Sequence, residues 1–132
     1  MKKVSLIFGA MFIAAVFLIS CSDYGKEKNF NGVQLFYTSN ITETEANSMG
    51  NFLIESEFAD GEEKTVQLNK SGNTYEFRMV VKTGIEQDSE YSELGKLMAA
   101  EISTGVFNGA QVDLHFCAEN FETLRVLPMS IY

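Results

Sequence analysis

An α+β domain, built as a two-layer sandwich with an antiparallel-rich sheet and two helices on one face, is predicted by three features of this sequence. Apolar residues alternate with polar ones over five short runs; two longer stretches between them carry apolar residues at helical spacing; turns rich in Asn, Gly and Ser separate the two kinds. Alternation buries one face of a sheet and wets the other, and two amphipathic helices are available to cover the buried face.

The elements follow in order. Val33, Leu35 and Tyr37 alternate with Gln34 and Phe36, which predicts a first strand and a folded part that begins near Gly32. After a Ser39-Asn40 turn, Thr42 and Glu45 have the spacing of a capping box, in which hydroxyl and carboxylate each satisfy an amide left open by the first helical turn. Ala46, Met49 and Leu53 then recur at helical spacing, so a helix runs to about Glu57 and ends before Asp60-Gly61. Val66 and Leu68, a Ser71-Gly72-Asn73 turn, and Tyr75, Phe77, Met79 and Val81 predict a β-hairpin. Asp88 or Ser89 caps a second helix with Tyr91, Leu94, Met98, Ile102 and Val106 on one stripe, and Glu90, Glu93 and Lys96 largely outside it. Beyond Asn108-Gly109, Val112, Leu114 and Phe116 mark a strand; a Glu119-Asn120 turn leads to a last strand from Thr123 to Leu127, closed by the single proline, Pro128. The first six elements have the βαββαβ order of ferredoxin-like folds, with a C-terminal strand added at an edge.

Residues 1–20 read differently. Lys2 and Lys3 precede an apolar run from Val4 to Ile19 that is short for a bilayer span of roughly 20 residues, the pattern of a secretory signal peptide. The run ends in Leu18-Ile19-Ser20-Cys21, which resembles the bacterial lipobox. That resemblance implies diacylglyceryl transfer to the Cys21 sulfur and cleavage before it, so that acyl chains contributing about 0.8 kcal/mol per buried methylene hold the protein to a membrane outside the cytoplasm. Ser22 suits delivery to the outer membrane of a Gram-negative cell. Residues 21–31, polar and aperiodic, are expected to be the lipidated tether, and residues 32–132 a single domain.

The whole chain carries a formal charge of −8, and loss of Lys2 and Lys3 with the leader takes it to −10. An acidic surface repels phosphate backbones, which argues against nucleic acid and against an anionic headgroup layer as partners. With Cys21 acylated, Cys117 has no disulfide partner.

Candidate chemistry is sparse. Asp113, His115 and Cys117 alternate along one strand and therefore share the open face about 6.6 Å apart. Carboxylate, imidazole and thiolate are zinc ligands, but one histidine and no Cys-x-x-Cys pair fall short of four convergent groups. A nucleophilic Cys117 activated by His115 is disfavoured because parallel side chains on one strand do not approach each other. Glu62 with Glu63, and Glu90 with Glu93, fall on expected solvated surface. No phosphate loop, His-Glu-x-x-His or calcium loop is present, and no cofactor beyond the lipid is implied. A ligand surface is the richer prospect: Gln34, Phe36, Gln67, Arg78, Val80, His115, Arg125 and Leu127 are expected together on the open face, with Phe36, Arg78, His115 and Arg125 as its principal contacts.

The stretch from Thr65 to Lys82, with Val112 to Cys117, resembles a bacterial family of uncharacterised envelope-associated domains, which implies no activity. The βαββαβ layout is also similar to the peptidoglycan-binding SPOR domain. Three functions follow as expectations: a noncatalytic lipoprotein that binds a protein partner or other envelope component through the sheet face or its edge, a cell-wall glycan binder, or a metal-thiol or enzymatic site around Asp113, His115 and Cys117.

Overall fold

The computed structural model describes residues 24–129, so the leader, Cys21 and the start of the expected tether lie outside them. The chain forms β1 (Lys26–Phe30), β2 (Val33–Tyr37), α1 (Glu43–Glu55), β3 (Lys64–Ser71), β4 (Thr74–Val80), a 3-10 turn (Ile85–Gln87), α2 (Ser89–Val106), β5 (Val112–Cys117) and β6 (Thr123–Pro128). All six strands make one sheet in the order β1-β2-β3-β4-β5-β6.

Strand β1 corrects the expected tether. Residues 26–30 pair antiparallel with β2 across a two-residue Asn31-Gly32 turn, with φ of 49° and 97°. Both turn residues have positive φ, the requirement of the type I′ hairpin turn that Asn-Gly favours. This hairpin also overrides the ferredoxin-like arrangement. A split βαβ unit leaves room for another strand beside the first, but here β1 occupies one side of β2 and β3 pairs in parallel on the other. Strands β4 and β5 are likewise parallel neighbours joined through α2, whereas β3–β4 and β5–β6 are antiparallel hairpins.

Both helices lie on one face. Thr42 and Glu45 form the capping box, with Glu45 N–H donating to Thr42 Oγ1 at 3.1 Å and Thr42 N–H to Glu45 Oε1 at 2.9 Å. Helix α1 ends sooner than expected because Glu57 turns to a φ of 68°. Asp88 caps α2 through the amides of Glu90 and Tyr91. Ala46, Met49 and Leu53 of α1 and Met98, Ala99 and Ile102 of α2 pack on Val33, Leu35, Val66, Leu68, Phe77, Met79, Leu114 and Phe116 in one core. Two glycines set how close the helices come: a Cβ on Gly50 would lie 2.2 Å from the Phe30 ring, and one on Gly95 2.6 Å from Leu127 Cδ1. No helix of the described residues is long and apolar enough to cross a membrane.

Candidate functional site

Strand register places Glu27, Phe36, Gln67, Arg78, His115 and Val126 in one row across the open face. One residue pair further along the strands, Asn69, Glu76 and Asp113 make a second row; on the other side Gln34, Thr65, Val80, Cys117 and Thr123 make a third. Of the expected ligand contacts, Phe36, Arg78 and His115 therefore do share this face.

Arg125 and Leu127 do not. Leu127 pairs with Leu114, is buried against Gly95 of α2 and belongs to the helix-side core, while Arg125 pairs with Phe116 and donates to the Glu86 carbonyl at 3.0 Å. The cause is a register irregularity beside Phe116 and Cys117: Thr123 pairs with Cys117 and Arg125 with Phe116, so Leu124 is the extra residue. Beyond it the facing of β6 is reversed from the expected one, and Val126 takes the open-face position.

The three residues that do converge are covered more than displayed. Tyr24, ahead of β1, and Phe121, in the β5–β6 turn, fold over the sheet and meet Phe36 edge to face, with ring centroids 5.8 Å and 6.1 Å away. With Val80 and Cys117 they make a second, smaller apolar cluster. Beside it, Arg78 is a hub: Nη1 lies 3.0 Å from both His115 Nδ1 and Thr123 Oγ1, and Nη2 donates to the Phe121 carbonyl. Because guanidinium only donates, His115 Nδ1 acts as acceptor, and the neutral ring carries its proton on Nε2. Burial, and then the Arg78 charge, hold the His115 pKa below its ordinary value. Arg78 thus ties the strand to the turn that roofs it.

The setting of Cys117 does not suit the nucleophile that its neighbour His115 is disfavoured from activating. Its thiol is fully buried, and burial pushes its pKa up to about 11, which keeps it protonated and poorly nucleophilic. Asp113, His115 and Cys117 share the face but occupy three successive rows, and no group of three His, Cys, Asp or Glu residues among the described ones is placed to hold a metal ion.

The two sheet edges, β1 and β6, differ in a way that no local pattern in the sequence announces. Strand β1 exposes Lys26, Glu27 and Asn29, and Lys28 pairs with Glu43 at 3.1 Å. Charged edge strands discourage pairing with another chain. Strand β6 exposes Leu124 (41%) and Val126 (44%) alongside Thr123 and the single charged side chain of Arg125. The Met129 N–H donates to the Val112 carbonyl, and in an antiparallel ladder bonded and unbonded pairs alternate, so Arg125 and Leu127 bond to β5 while the Val126 amide and carbonyl point outward. Pro128 stands at the next outward position, where its missing N–H breaks no bond to β5.

The model of the AF_1994_N family N-terminal domain matches residues 28–127, from within β1 almost to the end of β6. The chain belongs to that family. No curated protein and no solved structure matches it significantly. The matched span of the AF_1994_N domain takes in both helices, the Arg78 hub and β6, whose outer side pairs with no other strand among the described residues.

Proposed function

We propose that this protein is a lipoprotein of the bacterial envelope, anchored by acyl chains on Cys21, whose domain binds a protein partner without catalysing a reaction. The partner adds an extended segment to the outer edge of β6. The observation that carries this reading is the pairing of outward-facing backbone groups at Val126 with exposed Leu124 and Val126 side chains. Strand addition uses the same two ingredients, main-chain hydrogen bonds for affinity and alternate side chains for selectivity. The Leu18-Ile19-Ser20-Cys21 motif supports the anchor, and the roofed open face with a protonated Cys117 gives little support to catalysis.

A photo-cross-linking residue placed at Val126, and as a control at Lys26, tests the edge in native membranes. A discrete protein adduct is expected from Val126 and absent from Lys26, and Leu124→Lys should abolish it by charging the edge. No adduct from Val126, or equal adducts from both edges, rejects β6 as the site. Acyl labelling of the mature protein tests the anchor separately, with labelling lost in Cys21→Ser.

A further inference from the structure

The position at which the chain joins the domain is fixed on the open face. The Tyr24 carbonyl accepts from Gln67 Nε2 at 2.9 Å, and its ring packs edge-on against Phe121 at 5.0 Å between centroids as well as against Phe36. Gly25, at a φ of 108°, passes so close to β2 that a Cβ would lie 2.2 Å from the Tyr37 carbonyl oxygen. Residue 24 therefore does not swing free of the sheet; it is clamped over Phe36 and Gln67.

Cys21 is three residues before Tyr24. Three residue steps of fully extended chain reach at most about 10 Å. The headgroup region on each side of a bilayer is itself roughly 5–7 Å thick, since some 40–45 Å of total thickness surrounds a hydrocarbon core of about 30 Å. A lipid-bearing Cys21 at the boundary of the acyl chains thus leaves only a few ångströms of slack above the headgroups. A tether of ten residues would let the domain tumble, but one of three does not.

Resting on the lipid anchor proposed above, we infer that the open sheet face lies against the headgroup layer of the bilayer that holds Cys21, with α1 and α2 directed away from it. The contact is imposed by chain length and not by charge. Glu27, Glu76 and Asp113 outnumber Arg78 on this face, and His115 there is neutral, so the surface it fits is a zwitterionic one. Strand β6 then stands at the side of the domain, and a segment adding to it approaches along the membrane surface.

The chain contains no tryptophan, so single reporters can be introduced cleanly. Glu27→Trp places one on the open face, in register with Phe36, and Leu97→Trp places one on the exposed side of α2. Lipidated full-length protein in phosphatidylcholine vesicles, doped with lipid carrying a nitroxide on its headgroup, should show several-fold stronger quenching at Glu27→Trp than at Leu97→Trp. A flexible Gly/Ser insert of about 20 residues between Ser22 and Asp23 should erase the difference. Equal or reversed quenching in protein that floats with the vesicles overturns the orientation while leaving the anchor intact. Protein that carries no acyl chain and does not float overturns the anchor, and the orientation with it.

Discussion

The helix-covered face of the sheet and its open face are buried by different means. On the first, Leu35, Leu68, Phe77, Met79, Leu114 and Phe116 meet the apolar stripes of two helices, and cohesion is spread over many interchangeable contacts. On the second, three buried residues, Phe36, Val80 and Cys117, are roofed by Tyr24 and by Phe121 of the β5–β6 turn, and one guanidinium fastens the turn in place. The helix side derives its strength from area. The open side depends on whether a single polar hub keeps all its partners.

Three substitutions sharpen that contrast. The largest effect is expected from Phe77→Ala, which empties the centre of the helix-side core; a loss of about 3–5 kcal/mol in urea unfolding is the usual range for a fully buried Phe. A smaller loss than for Arg78→Leu would show that the two faces are not divided in this way. Arg78→Leu leaves the Phe121 carbonyl and the His115-Thr123 pair without their donor, for an expected cost of about 1–3 kcal/mol. It should also loosen the 118–122 turn, read as faster amide exchange there with α1 and α2 unchanged.

The smallest effect is a pH dependence. Burial and Arg78 lower the His115 pKa in the folded state, so below about 6.5 the unfolded chain takes up a proton that the folded one resists. The contribution is complete above that pH and declines as pH falls through the window beneath it, with a slope of at most about 1.4 kcal/mol per unit. His115 is the only histidine, so His115→Gln should flatten the unfolding midpoint between pH 6.5 and 5. An unchanged slope would remove His115 from the hub. Glu45 provides a separate signal at lower pH: burial raises its pKa, but hydrogen bonds from Tyr75 and Thr42 outweigh that and hold it below the ordinary value. Its contribution is present above about pH 4.5 and is lost on further acidification.

Much of the architecture was legible because its signals are local. The Thr42-Glu45 spacing, the Asp88 cap, the Gly72-Asn73 turn and the alternation in β2 to β5 each specify their element within a few residues. Strand β1 had an equally local signal in Asn31-Gly32, but its edge position lets Lys26, Glu27 and Asn29 stay wet, so no apolar alternation accompanied it. Strand β6 was ambiguous for a different reason. Leu124 and Val126 are apolar, and so is Leu127, so either facing puts a leucine inward, and a one-residue irregularity at Leu124 decides the matter. The hub at Arg78 depends on three strands and a turn meeting, which no single stretch of sequence announces.

Spatial order and chain order coincide across all six strands, and this bears on how the domain is made. A polypeptide emerging from the ribosome N-terminus first always offers its newest strand to a margin that already exists, and never has to wedge one between two that have closed up. Each partly finished sheet is a narrower copy of the complete one with a single growing side. The margin at β6, the last of the described strands to be added, has the same form as those that received the strands before it.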